Sequence, residues 1–473
     1  MAAACLAVFP GGGARAQSPA VDATPARGPI DGWLHDAGLA PQQVGAIALP
    51  LDGAQALIAY DAELPLNPAS TIKLVTTYAG LSLLGPDYRW RTEARLRGVL
   101  REGVLHGDLV LRGGGDPKLV IEDLAEFVAR MRAAGLEEID GDLVLDDAIF
   151  DTGPRSVDDF DGEPSQPYNV RPFAALMNFK STRIVVRPAG RRAQIAFDPA
   201  LADVAVDNRV RLVGGPCRFG ASGLQVRDGV RRGAPVVSVA GSYSRACGEQ
   251  GLFAAMLDHR QFVHALFKAA WQAAGGHWSG RTRIERDAST GEPWLVWVSP
   301  RTLADVVHDI NKFSNNVMTR QLMLQVAAEA GARPATAADA RRVIGGWLDA
   351  QGLRFRGLLL DNGSGLSRDA RASAAQLAQL LRHAAAGPVA DLIRDSLPVV
   401  GIDGTMKARL AGEPIAGRAW IKTGSLEGVR SIAGYVQAAS GRRYSVAMIV
   451  NGPAAAASRV LQDEFLRWVY ANG

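Results

Sequence analysis

Asn67-Pro68-Ala69-Ser70-Thr71-Ile72-Lys73 contains a Ser-x-x-Lys, and its reading decides the fold. Asn67 is a favourable helix N-cap and Pro68 suits the first helical position. A helix that begins there places Ser70 in its first turn, with Lys73 three residues later on the same face. An amine then lies within reach of a hydroxyl. The helix N-terminus also aims its dipole and a free backbone N–H at any oxyanion formed on a carbonyl that Ser70 attacks. A serine hydroxyl is a weak nucleophile without a base, and a lysine of depressed pKa can be that base. Taken alone, the stretch reads better as an ordinary helix turn with a snorkelling lysine.

Two further elements change that reading. Ser314-Asn315-Asn316 interrupts an amphipathic helical stretch from Leu303 to Leu324, and Lys422-Thr423-Gly424 ends a strand that begins with Trp420 and Ile421. With 23 Ser and 7 Lys in 473 residues, chance supplies roughly 0.3 Ser-x-x-Lys and about 0.03 Lys-Thr-Gly. Each motif alone is weak; the ordered set is strong. A second cation such as Lys422 would help depress the pKa of Lys73. Ser314 could relay a proton to a leaving amine, and Asn316 could hold a substrate amide. Gly424 permits close approach of a ligand backbone. Lys422, Thr423 and Ser425 form a cationic, hydroxyl-rich edge suited to a carboxylate, and an extended peptide could pair along this strand.

Rival catalytic readings are thin. No Gly-x-Ser-x-Gly elbow occurs, since Asp361-Asn362-Gly363-Ser364-Gly365 fails at its first glycine. His259 and His264 lack the His-Glu-x-x-His zinc pattern, and Gly113-Gly114-Gly115 lacks the Lys-Ser/Thr of a phosphate loop. No metal or cofactor is expected.

The chain is too long for a single core, so two or three domains are expected. Of the 52 basic residues all but the 7 Lys are Arg, and the net charge is only +4. The arginines read as solvated faces, with no nucleic-acid or membrane-surface patch. No apolar run reaches the ~18 residues of a membrane span. Residues 2–9 are apolar and Ala14-Arg15-Ala16 offers a cleavage site, so residues 1–16 read as a signal peptide without its basic start. If Cys5 leaves with it, Cys217 and Cys247 remain as an even pair. In an oxidising compartment we expect them to close a loop of roughly 30 residues, worth about 3 kcal/mol.

The organisation around the motifs is α+β. Residues 30–39 read as a helix, and Gly45–Leu49 and Ala54–Tyr60 as strands. Ala419–Thr423, Ser431–Ala438 and Tyr444–Val450 read as three more strands. A helix from Ala455 to Tyr470 follows, with Val460, Leu461, Phe465, Leu466 and Val469 as its apolar face. Two strands from the front and three from the back suggest one antiparallel sheet with helices on both faces. Between 91 and 295 the texture becomes strand-rich. It includes a helix at Ile121–Ala134, short strands at Thr182–Arg187, Gln194–Phe197, Val210–Val213 and Val236–Ala240, and helical periodicity over Leu252–Ala273. The division expected is a catalytic domain of 27–90 and 296–473, a first insert of 91–165 and 251–295, and a nested β-rich insert of 166–250.

On these motifs the chain resembles the low-molecular-mass class C penicillin-binding proteins, the D-alanyl-D-alanine carboxypeptidase/endopeptidase family. The resemblance runs from about residue 30 to 470. It extends to Gly113-Gly114-Gly115-Asp116-Pro117, to Asp361-Asn362-Gly363-Ser364-Gly365-Leu366-Ser367-Arg368 and to Gly401-Ile402-Asp403-Gly404-Thr405-Met406. It implies the penicillin-binding protein/serine β-lactamase-like fold, a five-stranded antiparallel sheet flanked by helices, with nested insert domains. The long spacing from Ser70 to Ser314 fits such inserts and not a compact class A β-lactamase.

The resemblance implies roles as well. Ser70 would be acylated by the penultimate D-Ala carbonyl of a peptidoglycan stem peptide, with Lys73 as its base. Ser314 and Lys422 would pass the proton to the departing D-Ala, and Asn316 would orient the substrate. Thr423 and Ser425 would bind the terminal carboxylate beside Gly424 and Leu426, and the backbone N–H groups of Ser70 and Ser425 would form the oxyanion hole. β-Lactam antibiotics would acylate Ser70 and stall. Within the acidic run Asp158, Asp159, Asp161 and Glu163, family members use an insert acid for the free amine of diaminopimelate, and Asp161 or Glu163 is the candidate here. The expected setting is periplasmic, soluble or peripherally membrane-associated. Two alternatives of the same fold stay open, a catalytically weak muropeptide-binding protein and a β-lactamase. The second is disfavoured because no Glu-x-x-Leu-Asn follows the Ser-x-Asn element.

Overall fold

A computed structural model describes residues 29–153, 160–288 and 291–473. The expected signal segment and the acids Asp158 and Asp159 lie outside these residues. A five-stranded, wholly antiparallel sheet unites segments from the front and the back of the chain. Its order is Ala419–Leu426, Val429–Gln437, Arg443–Asn451, Val44–Pro50, Ile58–Tyr60. Every residue of Val44–Pro50 is buried, the mark of a strand covered on both faces. Alternation sends Ile47 and Leu49 into a core shared with the helices Lys73–Leu84 and Ala374–Ala385. It sends Ala46 and Ala48 into an opposite core with Ile30–Asp36 and Arg459–Asn472. The architecture is the α+β arrangement the motifs imply.

Several local readings need correction. The strand expected over Ala54–Tyr60 shrinks to Ile58–Tyr60, because Ala54 and Gln55 sit in an exposed turn. The C-terminal α-helix starts at Arg459 after a 3-10 stretch, Pro453–Ser458, which rotates Val460 into solvent at 67% exposure. Leu252 and Phe253 do not open a helix. They belong to the strand Gln250–Ala254, paired with Thr182–Ala189, and the helix begins at His259, capped by Asp258.

The rest of the chain surrounds a separate apolar core. A seven-stranded sheet is built on the hairpin Arg91–Arg101 and Val104–Arg112, and the helices Ile121–Ala133 and His259–Ala273 pack on that core. Two three-stranded sheets complete it. One is Gln250–Ala254, Thr182–Ala189, Arg192–Asp198; the other is Gln225–Arg231, Ala234–Ser244, Ala205–Val213. A disulfide joins Cys217 and Cys247.

The two halves are locked together beside the site. Gln321 donates to the carbonyls of Gly115 (3.2 Å) and Phe173 (3.0 Å) and accepts from the Phe173 N–H at 3.0 Å. Gly113 and Gly114 run so close to the backbone of Ala174 and Arg91 that a Cβ would lie 2.1 and 1.8 Å from their atoms. These two glycines therefore serve backbone crossings within residues 91–295, while Gly115 abuts the Gln325 and Phe150 side chains.

Candidate active site

The site begins with a strained residue. Ala69, fully buried, has φ of +44°, a conformation that costs a non-glycine residue about 1–3 kcal/mol unless its surroundings enforce it. They do. Asn67 Oδ1 accepts from the Ala69 N–H at 2.9 Å, while its Nδ2 donates to the Ser367 carbonyl at 2.8 Å. Asn451 pairs with the Asn67 backbone at both its N–H and its carbonyl, 2.8 and 3.0 Å. Thr71 and Ser431 hydroxyls both donate to the Pro68 carbonyl, at 2.7 and 2.6 Å. Ser70 thus leaves a braced turn in the 3-10 segment Ala69–Ile72, which continues as the α-helix Lys73–Leu84.

Lys73 is fully buried. Its Nζ lies 3.0 Å from Ser70 Oγ, 2.6 Å from Asn316 Oδ1, and in a short contact with the Ser364 carbonyl. Burial first, then the charges of Lys422 and Arg320, hold its pKa well below the ordinary lysine range. A neutral amine has two hydrogens and one lone pair. Two carbonyl-type acceptors, on Asn316 and Ser364, take the hydrogens, which turns the lone pair towards the Ser70 hydroxyl. This arrangement can accept the Ser70 proton.

Ser314 and Asn316 occupy a helix break. Ser314, with φ of +59°, ends Leu303–Phe313 in the left-handed conformation. Asn315 caps the next helix, Asn316–Glu329, by accepting from the Met318 N–H at 3.0 Å. The break lets Ser314 face Lys422 while Asn316 faces Lys73. Lys422, also fully buried, donates to Ser314 Oγ and to the Thr423 carbonyl, both at 2.8 Å. Burial pushes its pKa down to about 7.

Thr423, Gly424, Ser425 and Leu426 finish the Ala419–Leu426 strand, which lies at the sheet edge. The first part of that edge is covered, since Ile421 N–H donates to the Pro398 carbonyl at 2.7 Å. From Thr423 onward no further strand pairs with it among the described residues. A Cβ on Gly424 would lie 2.9 Å from the Ser70 nitrogen, and one on Gly365 (φ +79°) 2.8 Å from the same atom. Only glycines allow both segments to close around the Ser70 backbone.

Two contributors carry no signal in the short motifs. The loop around Asn362 delivers the Ser364 carbonyl to Lys73. Asn362 Oδ1 accepts from the Ser364 N–H (3.0 Å) and hydroxyl (2.7 Å), and its Nδ2 donates to the Leu366 carbonyl at 2.8 Å. The second is Thr405, whose Oγ1 lies 2.8 Å from Thr423 Oγ1. Its loop is held by Lys312, which pairs with Asp403 at 2.9 Å and donates to the Leu397 carbonyl at 2.6 Å.

Asp161 and Glu163 stand apart from this cluster. A cavity of about 680 Å³ adjoins it through Arg320 and Asn362, and is also lined by Phe160, Arg171 and Arg368, but by neither acid. Asp161 instead ties its own loop, accepting from Tyr168 Oη (2.8 Å), Asn169 Nδ2 (2.7 Å) and the Glu163 N–H (3.2 Å). Although desolvation pushes its pKa up, the Tyr168 and Asn169 bonds outweigh it and hold the carboxyl below the usual range. Among the described residues no group of three or more His, Cys, Asp and Glu could hold a metal ion. No described helix is long and apolar enough to cross a membrane.

The sequence pattern of the D-Ala-D-Ala carboxypeptidase 3 (S13) family matches residues 26–471. A D-alanyl-D-alanine carboxypeptidase of an Actinomadura species is 28% identical over 469 residues, covering 93% of this chain and 83% of that protein. The D-alanyl-D-alanine carboxypeptidase DacB of Haemophilus influenzae is 26% identical over 415 residues, covering 86% and 85%. Among solved structures, penicillin-binding protein 4 of H. influenzae superposes with a TM-score of 0.75 at 24% identity, over 89% of this chain and 96% of that one. A predatory endopeptidase of Bdellovibrio bacteriovorus superposes with a TM-score of 0.52 at 14% identity, over 91% and 94%.

Proposed function

The chain belongs to the D-Ala-D-Ala carboxypeptidase 3 (S13) family and is a serine-type D-Ala-D-Ala carboxypeptidase; from that premise we propose that Ser70 is its nucleophile and Lys73 the base that activates it. The observation that carries this reading is the Lys73 amine, 3.0 Å from Ser70 Oγ, with its other bonds taken by acceptors. Ser70 Oγ attacks the penultimate D-Ala carbonyl as its proton passes to Lys73. The backbone N–H groups of Ser70 and Ser425 take the oxyanion, a role supported by the approach of Gly424 to the Ser70 nitrogen. Collapse of the tetrahedral adduct breaks the C–N bond, and the leaving D-Ala nitrogen receives a proton through Lys422 and Ser314. Thr423 and Ser425, with Thr405 behind them, hold the terminal carboxylate. Asn316 serves Lys73 and the substrate amide together. Water then hydrolyses the ester.

The free edge from Thr423 to Leu426 accommodates an extended stem peptide, and the neighbouring cavity its side chain. With a cross-linked peptide in place of the terminal D-Ala the same steps give endopeptidase action. Penicillins acylate Ser70 and stall because the opened ring keeps its leaving group tethered. A H. influenzae relative has been crystallised with a β-lactam. The setting is the periplasm, and the chain divides into a catalytic unit of 27–90 and 296–473 with inserts between, a division supported by two apolar clusters that exchange few buried residues across it, Ile149, Phe150, Ala174 and Val317 among them.

Labelling with a fluorescent penicillin, timed for release and paired with a D-Ala assay on a D-Ala-D-Ala peptide, tests the reading. Stable labelling with D-Ala production is expected. Stable labelling without D-Ala would mean a binding protein, and rapid release a β-lactamase.

A further inference from the structure

Charge is unevenly distributed in this protein. Residues 166–250 hold thirteen Arg and Lys against five Asp and Glu, a net +8, whereas the whole chain carries +4. The remainder is therefore net acidic.

Four of these arginines, against one acid, share one sheet face. In the sheet of Gln225–Arg231, Ala234–Ser244 and Ala205–Val213, the central strand buries Val237, Val239 and Tyr243. Strand alternation then turns Val236, Ser238, Ala240 and Ser242 outward. The register sets Arg209 beside Ala240 and Arg211 beside Ser242 on one flank, and Arg227 beside Ser238 and Arg231 beside Ala234 on the other. A floor of small side chains is thus walled by arginines on strands about 10 Å apart. All four arginines are exposed.

Asp207 is the acid on this face, and it is engaged by Arg209 at 2.8 Å and by Ser238 Oγ at 3.2 Å. Arg231 also acts on Asp207 through its charge, whereas Arg211 and Arg227 have no hydrogen-bond or ion-pair partner among the described residues. Uncompensated like charges repel one another, and a guanidinium fork matches a carboxylate. The face also carries no aromatic residue, as a membrane-surface anchor would favour.

We propose that this arginine-walled face binds the carboxylate-bearing strands of peptidoglycan, holding the enzyme on its polymer at a site separate from the Ser70 cleft. The naming of the polymer rests on the activity proposed above; the arginine face does not. The test is co-sedimentation with purified insoluble peptidoglycan, using Ser70→Ala so that binding is read without turnover. Binding should weaken between about 0.02 and about 0.3 M salt, as exposed charge contacts are screened. Replacing Arg209, Arg211, Arg227 and Arg231 by Gln should cut the bound fraction at least about fivefold. The same four changes in the wild-type background should leave penicillin labelling of Ser70 intact, which also reports folding. Replacement of the four by Lys should keep most of the binding. Wild-type-like sedimentation of the Gln variant would overturn the proposal. So would a preference of the Ser70→Ala protein for anionic phospholipid vesicles over peptidoglycan. Loss of penicillin labelling in the wild-type enzyme would instead strike at the catalytic reading.

Discussion

Lys73 and Lys422 are amines kept out of water, and that placement sets both their chemistry and their cost. Charging a fully buried lysine is unfavourable, so each titrates below the usual range, Lys422 at about 7. The unfolded chain therefore binds more protons from about pH 7 up to the ordinary lysine range, and stability rises with pH across that window. The destabilisation is full below the folded pKa and is relieved as pH climbs. Thermal melts at about pH 7 and about pH 9 should show a positive shift that shrinks in Lys422→Met. Lys73→Met should lower penicillin acylation by about 10²–10⁴-fold, the usual loss of a general base, while keeping a cooperative melt. Acylation within a factor of two or so of wild type would remove Lys73 from the role of base. Thr405→Val should raise KM for a D-Ala-D-Ala peptide by about tenfold with kcat little changed, the effect of losing one hydroxyl near a carboxylate. An unchanged KM would leave Thr405 a packing partner of Thr423.

Four segments meet at the Ser70 turn: the turn itself, the helix break at Ser314, the loop at Asn362 and the edge strand at Lys422. The Gly365 Cβ position, 2.0 Å from the Ala69 carbonyl, makes the third of these intolerant of any side chain. Gly365→Ala should therefore abolish acylation, with a lowered melting temperature; full acylation would mean that the loop does not set the Ser70 turn. Three of the four segments are legible in sequence because their reactive atoms belong to side chains in fixed local patterns. The loop at Asn362 belongs to the resemblance but shows no role in sequence, since the atom that serves Lys73 is the Ser364 carbonyl, and every residue has one. Thr405 is hidden for another reason: its partner lies 18 residues away and is reached by a loop that Lys312 and Asp403 fix. Among the strands, Gln225–Arg231 escapes a hydrophobic reading because every residue but Val226 is exposed. Val460 misled because a 3-10 stretch shifts the helical phase. The arginines read as scattered along the chain converge only when strands pair.

At the scale of the whole molecule, two apolar clusters touch where Ile149, Phe150 and Ala174 enter the first and Val317 the second, and Gln321 and the wall of the cavity beside the site bridge the same region. The Cys217–Cys247 disulfide closes a loop of 30 residues in the insert half. Its replacement by two serines should cost about 3 kcal/mol there, read by hydrogen exchange, with penicillin acylation unaltered. A parallel loss of acylation would show that the halves share one folding unit. The account as a whole depends on Ser70 being the atom that reacts. Intact-mass and peptide mapping of the penicillin-treated protein measure this directly. The prediction is a single adduct on the Ser70 peptide, absent from Ser70→Ala; an adduct on another residue, or one that survives the substitution, would contradict it.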